Sequence, residues 1–361
     1  MNKKVCLVVH DFAQYGGVGA VCAAMANELC HTNQITVLSL IGEGRPNAYS
    51  LDKKVAYYSL MQKARSLREE FFSMRGPAYR YLRQQDFDTI ILMGHYPGFL
   101  LGTLQVKLKA NMIFVDHGAL MSQWNEKEVR FMRLLSAKAC RKTITITSRS
   151  RDDYIEKFHI KPTKLQCIYN WVDLDEPHSE QYDVRSKRIV SAGRIEKEKG
   201  FDQLIHAFAP VAEKHPDWQI DIFGDGEMMD EVKHLIAHYN LESSVNLMGM
   251  REDLSNRYKD YAMYVLPSYR EGLPLVLLEA KANRLPIVSF DVLTGPREII
   301  GDGIDGILVP PENTKALGEA MCRMIEDDNL RQRMSEHSWD NLNKFSKEKI
   351  LDQWEELLDT I

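Results

Sequence analysis

Two pairs of charged side chains in the second half of the sequence have the residue types and spacing to bind a nucleotide diphosphate. Arg194 and Lys199 lie five residues apart directly after an apolar run, and Glu271 and Glu279 lie eight apart after another. A diphosphate requires fixed positive charge from two directions, which an arginine fork and a lysine ammonium supply together. Two carboxylates can bind the hydroxyls of a sugar and a ribose. Each pair also fits an ordinary charged loop or surface helix, so the surrounding elements decide between these interpretations.

Two features of the first half could contribute to the same chemistry. Gly16 and Gly17 stand between the first apolar run and the first helical pattern, where glycine lets backbone amides approach an anion. Their spacing is not that of a dinucleotide-binding or P-loop fingerprint, which disfavours those two classes. His117 follows the apolar run 112–116 and precedes Gly118. Its imidazole could contact a donor sugar, orient an acceptor or do neither.

Short β-branched runs alternate with helical patterns along the whole chain. Continuously apolar runs separated by helices are typical of a parallel sheet that is covered on both faces. We therefore predict an α/β fold of two doubly wound, Rossmann-like units, whose ligands bind beyond the carboxyl ends of the strands. The predicted strands are 5–9, 35–40, 89–93, 112–116 and 143–147 in the first half, and 188–193, 218–224, 245–249, 263–267, 286–290 and 306–310 in the second.

A polar, aperiodic segment at 170–187 indicates a connection between two domains. We predict a first domain at 1–168 and a second at 169–344. Apolar residues recur at helical spacing near the end of the chain, so a helix at about 345–361 is expected to pack back on the first domain.

The net charge of −5 conceals an asymmetry between the two halves. Residues 1–168 hold 24 Lys and Arg against 14 Asp and Glu, a balance of +10, whereas residues 169–361 hold 22 against 37, a balance of −15. A basic first half indicates an anionic partner, such as a phosphorylated acceptor or a membrane surface. Nucleic acid is disfavoured because no binding motif accompanies the charge. The basic and aromatic stretch at 63–83 could lie on anionic lipid or pack its aromatic rings on the sheet.

Cysteine usage and hydropathy favour a cytoplasmic protein. The six cysteines form no CxxC pair and no Cys/His metal spacing. The apolar run near the N-terminus is too short for a signal peptide, and none approaches the ~20 residues that a spanning helix needs.

The motifs of the second half resemble those of a known family in both order and spacing. They are Gly193-Arg194-x4-Lys199-Gly200, EGLPLVLLE at 271–279 and GPREIIGDGIDGILVP at 295–310. The sequence resembles the family-four retaining glycosyltransferases, whose GT-B fold has two Rossmann-like domains facing a central cleft. In the first half the resemblance is limited to Gly16-Gly17, Asp116-His117 and residues 169–173, where Trp171 replaces the glycine of the family's N-G-V-D segment.

The resemblance implies a role for each charged residue of the predicted site. Arg194 and Lys199 would hold the donor diphosphate and stabilise the charge that appears as the nucleotide leaves. Glu271 would contact the sugar hydroxyls, Glu279 would bind the ribose hydroxyls, and His117 would lie beside the sugar at the reacting face. The implied catalytic set is Arg194, Lys199, Glu271 and His117.

Further residues complete the implied donor site. Backbone amides near Gly272 and Leu273 would assist the sugar contacts, and Gly17 would offer an amide to the distal phosphate. The base is expected against Met250 and Arg251, and the set also includes Gly193 and Val276. The resemblance leaves the acceptor-binding residues unassigned.

The implied activity is transfer of a sugar from a nucleotide diphosphate donor, expected to be a UDP-sugar, with retention of anomeric configuration. The expected acceptor is a glycan or a polyprenyl-diphosphate-linked sugar of surface polysaccharide synthesis, which would place the protein in the cytoplasm or on the inner face of the membrane. Fixed cations would stabilise the negative charge of the departing nucleotide, so neither a cofactor nor a metal is implied. The DxD at 173–175 falls in the predicted connection and is interpreted as polar linker.

Two other classes share parts of this pattern. A two-Rossmann nucleotide-sugar epimerase is disfavoured by the Arg-x4-Lys and Glu-x7-Glu spacings. A noncatalytic sugar-nucleotide-binding protein is disfavoured because both cations and both carboxylates are present. The carboxylate pair could also indicate a glycosidase, but the roles that the resemblance implies for it are binding roles.

Overall fold

The computed structural model describes residues 2–42, 44–61, 67–174, 182–251 and 254–361. The chain divides into two compact units, Met1–Asn170 with Ile350–Ile361, and Trp171–Lys349. The division therefore falls after residue 170, where the sequence predicted 168, and the terminal segment contributes its last residues to the first unit. Residues 175–181 of the predicted connection, which include Asp175 of the DxD, and residues 63–66 of the basic stretch lie outside the described residues.

The first unit is built on a seven-stranded parallel sheet. Its strands are β1 (Lys4–Asp11), β2 (Gln34–Ile41), β3 (Ala56–Met61), β4 (Thr89–Met93), β5 (Asn111–Asp116), β6 (Lys142–Thr145) and β7 (Leu165–Cys167). They pair in the order β3-β2-β1-β4-β5-β6-β7. The chain runs outward from β1 to β3 and then returns to β4 on the other side, so the topological switch point lies between β1 and β4.

Helices connect these strands and cover their apolar side chains. They are α1 (Gly17–Leu29), α2 (Leu67–Gln85), α3 (His95–Leu101), α4 (Lys127–Ala139) and α5 (Ser148–Phe158). The described part of the basic and aromatic stretch forms α2. This helix buries Met74, Ala78 and Leu82 in the core and exposes Arg80 and Arg83 to solvent. Such an amphipathic division explains how a helix so rich in charge packs on the sheet.

The second unit repeats the architecture with a six-stranded parallel sheet. Its strands are β8 (Arg188–Ala192), β9 (Gln219–Phe223), β10 (Val245–Gly249), β11 (Met263–Leu266), β12 (Ile287–Phe290) and β13 (Gly306–Val309). All six are predicted strands, and their order β10-β9-β8-β11-β12-β13 puts the switch point between β8 and β11. The prediction of two doubly wound α/β units is confirmed.

The helices of the second unit include two that carry or border the predicted site, α6 and α9. The set is α6 (Phe201–Lys214), α7 (Met229–His238), α8 (Leu254–Arg257), α9 (Leu275–Ala282), α10 (Pro296–Ile299), α11 (Thr314–Glu326) and α12 (Asp328–Glu336). A buried core between one face of the sheet and helices α6, α7, α11 and α12 holds these elements in place, with Phe208, Ile222 and Val265 fully buried in it.

The last helix, α13 (Lys347–Thr360), supplies Ile350 and the residues after it to the first unit. Its apolar residues at helical spacing, among them Trp354 and Leu358, are buried. Asn111 donates from Nδ2 to the carbonyl of Ile361 at 3.0 Å, and Lys3 donates to the carbonyl of Leu358. Among the described residues, no helix combines the length and the apolar character needed to cross a bilayer.

Candidate functional site

The predicted donor residues lie on two loops that leave neighbouring strands. β8 and β11 pair in parallel, with Ile189 opposite Met263, so the loops that follow them start side by side at the carboxyl edge of the sheet. Arg194 and Lys199 lie on the first loop, and Glu271 lies on the second. These loops flank the switch point of the sheet, where doubly wound folds bind their ligands.

The structure brings Lys199 and Glu271 into direct contact. The Lys199 Nζ lies 2.7 Å from Oε1 and 3.0 Å from Oε2 of Glu271. The carboxylate is almost fully buried, with 6% of its side chain exposed, whereas 28% of the lysine side chain is exposed. A buried carboxylate requires a partner, and here that partner is an ammonium group that solvent can reach. An incoming diphosphate can therefore meet Lys199 without first entering the core.

Two residues that the sequence reasoning missed fix Glu271 in this position. Ser268 donates from Oγ to Glu271 Oε1 at 2.7 Å, and Thr294 donates from Oγ1 to the Glu271 carbonyl at 2.6 Å. Ser268 directly follows the predicted strand 263–267, and that position is the signal that could have identified it. Thr294 belongs to the loop after β12 and directly precedes the motif at 295–310.

Arg194 lies on the same loop as Lys199 but has a different partner. Its Nη1 lies 2.8 Å from Glu196 Oε1, and about half of the arginine side chain is exposed. The neighbouring Glu198 pairs with Arg270 of the second loop, and this arginine lowers the pKa of the glutamate. Glu196 therefore forms an ion pair within the first loop, and Glu198 forms one that connects the first loop to the second.

Glycines permit the close approach of these loops. A Cβ on Gly200, whose φ is 66°, would lie 2.1 Å from the carbonyl oxygen of Pro267. A Cβ on Gly224 would lie 1.9 Å from the carbonyl oxygen of Gly193. Both clashes are with backbone atoms, which cannot move aside as the end of a flexible side chain can. Any larger residue at these positions would therefore push the loop that carries Lys199 away from its neighbours. Close packing against Pro267 therefore explains why glycine stands at position 200, after the Arg-x4-Lys motif.

Glu279 lies one helical turn inside α9, which starts after Pro274. Tyr258 donates from its hydroxyl to Glu279 Oε2 at 3.3 Å. Burial, with the Glu279 carboxylate adding to it, raises the pKa of Tyr258 well above its ordinary value, so the hydroxyl remains a donor. Nothing in the sequence pattern identified Tyr258, because its position depends on how α8 and the turn after it pack beside α9.

The remaining predicted donor residues are more dispersed. Leu273 is buried, Gly272 and Val276 are half-buried, and all three belong to the loop and first turn around α9. Met250 and Arg251 are exposed and follow β10, which β9 separates from β8 in the sheet. Residues 252 and 253, which continue this segment, lie outside the described residues.

In the first unit the glycine-rich turn is held by a tyrosine. Tyr49 accepts from the Gly16 amide at 2.5 Å and donates to the Gly16 carbonyl at 2.7 Å. A Cβ on Gly19 would lie 2.5 Å from the Tyr49 ring, which explains why glycine stands at that position. Gly17 begins α1, and a Cβ there would meet no atom within 4 Å. The space into which a side chain at this position would project is therefore open.

His117 lies directly after β5, next to a buried carboxylate. Its Nε2 is inaccessible and has no hydrogen-bond partner among the residues that the structure describes. Burial lowers the pKa of His117 to about 4, and the adjacent Asp116 opposes this shift only partly. The imidazole is thus neutral near pH 7. Asp116 itself accepts from the Tyr154 hydroxyl at 2.8 Å and lies 3.1 Å from the Arg133 Nε.

One group of metal-ligating side chains lies away from both loops. Atoms of His215, Cys322 and Glu326 that could bind a metal all lie within 4.8 Å of one another. Their separation along the chain explains why spacing alone gave no such grouping. Glu326 already pairs with His215 Nε2 at 3.0 Å and with the ammonium of Lys214.

The two Rossmann-like sheets give the chain a GT-B fold, and the second sheet carries a cation paired with a carboxylate beside its switch point. Two family models match the chain in succession: Glycosyltransferase Family 4 over residues 15–176 and Glycosyl transferases group 1 over residues 175–339. The protein therefore belongs to the group 1 glycosyltransferases of the family 4 type.

Relatives of similar length match almost the whole chain. An uncharacterized glycosyltransferase of Haemophilus influenzae is 28% identical over 99% of this chain and 100% of its own. The amylovoran biosynthesis glycosyltransferase AmsD of Erwinia amylovora is 26% identical over 98% of this chain and 99% of its own. The UDP-Gal:alpha-D-GlcNAc-diphosphoundecaprenol alpha-1,3-galactosyltransferase of Escherichia coli is 25% identical over 91% and 90%, respectively.

A solved structure of a TarM mutant from S. aureus, in complex with Fondaparinux, alpha-GlcNAc-glycerol and UDP, is similar in fold. The TM-score is 0.84 at 16% sequence identity, and the match covers 99% of this chain and 100% of that one. At this level of identity the likeness shows the fold.

Proposed function

We propose that this protein transfers a sugar from a UDP-sugar to a glycan or polyprenyl-diphosphate-linked acceptor in polysaccharide synthesis, with retention of anomeric configuration. The observation that carries the proposal is the contact between Lys199 and Glu271 at the switch point of the second sheet. It joins a solvent-accessible cation to a buried carboxylate, which are the two groups needed at the junction of a diphosphate and a sugar.

The donor is proposed to bind across the two loops and α9. Lys199 and Arg194 would contact the diphosphate, and Glu271 would accept hydrogen bonds from the sugar hydroxyls. Glu279 would bind the ribose, with its second oxygen already oriented by Tyr258. Because Glu271 faces both the ammonium and the sugar, donor binding would draw Lys199 toward the phosphate while Ser268 keeps the carboxylate in place.

The chemistry follows from the two charges that appear as the anomeric bond breaks. The leaving nucleotide gains negative charge, which Arg194 and Lys199 would stabilise. The sugar becomes an oxocarbenium-like centre, beside which a neutral His117 imidazole would not add positive charge. The leaving phosphate is proposed to take the proton of the acceptor, so no protein nucleophile is required for retention. Two fixed cations would serve in place of a metal, and the activity is proposed not to need one.

The acceptor proposal is supported by the charge of the first half and by the relatives. The E. coli relative is named for a diphosphoundecaprenol-linked acceptor and a UDP-sugar, and the Erwinia relative for amylovoran biosynthesis. The balance of +10 over residues 1–168 suits an acceptor that carries phosphate or a surface that does. We accordingly propose that the protein works in the cytoplasm, peripherally on the inner face of the membrane.

The test is a donor and acceptor screen with the purified full chain. UDP-sugars and GDP-sugars are supplied one at a time with undecaprenyl-diphosphate-linked sugars or free oligosaccharides, in the presence and absence of EDTA. Mass spectrometry detects product, a coupled assay detects the released nucleotide, and NMR gives the anomeric configuration of the new linkage. We expect a retained linkage from a UDP-sugar that EDTA does not abolish.

Other outcomes distinguish the competing classes. Isomerised donor without product would support an epimerase, and tight UDP binding without turnover would support a noncatalytic binding protein. An inverted linkage would refute the retaining proposal while leaving transfer intact. The Lys199→Ala variant serves as the negative control, because any product that it forms at the wild-type rate does not arise at the proposed site.

A further inference from the structure

A buried ion pair lies beneath the loop that carries His117. Asp116 ends β5, and Arg133 lies on the facing side of α4; 1% of each side chain is exposed. The Arg133 Nε lies 3.1 Å from Asp116 Oδ2, and the fully buried Tyr154 of α5 donates to the same oxygen at 2.8 Å. Three elements of the first unit therefore converge on one carboxylate.

The Arg133 guanidinium also binds the loop after His117 at two points. Its Nη2 donates to Gln123 Oε1 at 2.7 Å, and its Nη1 donates to the carbonyl of Ala119 at 3.3 Å. The loop is thus anchored where it leaves β5, through Asp116, and again several residues later. A single side chain fixes both ends of the segment that contains His117.

The Arg133 guanidinium approaches this loop so closely that no side chain fits at Gly118. A Cβ on Gly118 would lie 2.2 Å from Arg133 Nη2. Gly118 has no positive φ in the structure, so conformational freedom does not explain the glycine. The residue next to His117 is small because Arg133 occupies the space beneath it.

A buried ion pair is a poor choice for stability alone. Removing an arginine and a carboxylate from water carries a large desolvation cost, and well-packed apolar residues of similar volume often stabilise a protein as well or better. The same pair is geometrically demanding, since a planar guanidinium satisfies its partners in only one orientation. We therefore expect the Arg133–Asp116 pair to fix the position of the loop that Arg133 binds, rather than to stabilise the fold.

We propose that Arg133 is a positioning residue that holds the 116–123 loop so that the His117 ring keeps the orientation in which its Nε2 is inaccessible to solvent. The proposal rests on the proposed function for the catalytic consequence, because only there does the position of His117 matter to a reaction. The positioning itself can be tested without any substrate.

Removing the Arg133 charge has a defined electrostatic consequence. Asp116 would keep the Tyr154 hydroxyl and the Gly118 amide, 3.2 Å from its Oδ1, but would lose its cation. The other titratable groups around this region are His95 on α3, His10 on β1 and Glu126 before α4. Burial lowers the pKa of His95, and the charges of Asp116, Arg133, Glu126 and His10 act on it in addition. An uncompensated carboxylate beside a loosened His117 favours the protonated ring, so the pKa of His117 should rise.

The experiment compares Arg133→Met with Arg130→Met in the full-length protein. Arg130 lies one turn earlier on α4, where its guanidinium stacks 4.9 Å over Trp124 and donates to the Trp124 carbonyl at 2.9 Å. The two substitutions remove the same charge from the same helix, and only one removes the contact with Asp116. The His117 ring is titrated by NMR, with its signals assigned by their loss in His117→Gln.

We expect the pKa of His117 to rise by at least about 1 unit in Arg133→Met and to stay unchanged in Arg130→Met. Arg133→Lys keeps a charge near Asp116 but cannot bridge Gln123 and Ala119, so an intermediate shift is expected. In a transferase assay, kcat should fall about tenfold or more in Arg133→Met, with little change in the KM for the donor. An unchanged His117 titration in a folded Arg133→Met protein overturns the proposal.

A second variant covers the case in which Arg133→Met does not fold. Gly118→Ala displaces the guanidinium without removing its charge, and it should shift the His117 titration in the same direction. If Gly118→Ala leaves the titration as in the wild type, the proposal also fails. Absence of transfer in every protein, the wild type included, would instead count against the proposed function, and the NMR titration would still decide the positioning.

Discussion

The carboxyl edges of the two sheets handle charge in opposite ways. At the switch point of the second unit, cations and carboxylates pair on loops that remain partly open to solvent, as between Lys199 and Glu271. In the first unit the charges beside His117 are buried, as between Arg133 and Asp116, and the ring next to them is neutral. The same architecture therefore presents solvent-accessible charge on one sheet and an uncharged ring on the other.

This difference corresponds to what a glycosyl transfer requires of each partner. A leaving diphosphate gains charge during the reaction, and cations held at an edge that solvent can reach can stabilise that charge. A developing oxocarbenium-like sugar is better served by a surface without positive charge. The comparison predicts that substitutions in the second unit act on donor binding and departure, whereas those around His117 act through protonation and position.

The largest effect is expected from Lys199→Ala. Loss of one charge-assisted contact to the diphosphate should lower kcat/KM by about 100- to 1,000-fold, on the order of 3 to 4 kcal/mol of transition-state stabilisation. Lys197→Ala is the matched control, because that lysine lies two residues earlier on the same loop but pairs with Asp202 at 2.8 Å. Steady-state kinetics with the best donor measures both.

Part of this loss could arise because Glu271 is left buried without a cation. The double variant Lys199→Ala with Glu271→Gln removes that carboxylate charge. If the single variant is slow only because of the stranded carboxylate, the double variant should recover most of the rate. A loss that persists in the double variant supports direct action on the diphosphate and preserves the contrast between the two sheets.

The next effect concerns stability and belongs to the first unit. The pKa of His117 is about 4 in the folded protein and near 6.5 when unfolded, so the unfolded chain binds the additional proton between these values. The pKa difference therefore has no effect on the free energy of unfolding above about pH 6.5. As the pH falls toward about 4, protonation of His117 in the unfolded chain lowers that free energy, by at most about 3 kcal/mol. When wild type and His117→Asn are unfolded in urea between pH 7 and 4, the free energy of unfolding should decrease less with falling pH in the variant.

The exposed His159 provides the control for this measurement. His159 caps α5 in a left-handed conformation, with φ 53°, that asparagine also adopts readily. His159→Asn should therefore follow the wild-type dependence on pH. Equal acid sensitivity in wild type and His117→Asn would mean that the ring is not held neutral, and the proposed contrast with the second sheet would lose its basis.

The sequence was sufficient to predict the strands that position the site, but not the contacts within it. Interior strands such as β8 and β11 are continuous apolar runs because helices cover both faces, and that pattern is local. The edge strand β3 is nowhere fully buried and β7 has three residues, so neither has such a run. Both were missed.

The partners of the site residues are a different matter. Tyr258 lies 21 residues from Glu279, and Arg133 and Tyr154 come to Asp116 from two different helices. Which side chain reaches a buried carboxylate depends on how helices pack over the sheet, and one sequence does not encode that in any spacing. The charged residues could therefore be placed at the correct edge, while the groups that orient them could not be named.

Ribose recognition by Glu279 should give a smaller effect that is specific to the nucleotide. We expect wild type to bind UDP about tenfold more tightly than 2′-deoxy-UDP, because a lost hydrogen bond to a charged group is worth about 1.5 kcal/mol or more. Glu279→Gln should reduce that ratio, and Tyr258→Phe should reduce it less, since it removes only the group that orients the carboxylate. Isothermal titration calorimetry measures each ratio, with the exposed Glu319 of α11 replaced by Gln as the control.

The smallest effect is expected from Ser268→Ala. The hydroxyl donates to Glu271 Oε1 at 2.7 Å from a buried position, but Lys199 remains on the carboxylate after the change. Because Lys199 still compensates that charge, the loss is expected to be about 1 kcal/mol, below that of the usual hydrogen bond to a charged group, so the KM for the donor should rise about fivefold with kcat little altered. Ser191→Ala on β8 is matched in burial and volume, and the Ser191 hydroxyl has no hydrogen-bond partner among the described residues, so it should be neutral. If both substitutions have the same effect, Glu271 is held by its cation alone, and the second sheet is less organised around the sugar than its geometry indicates.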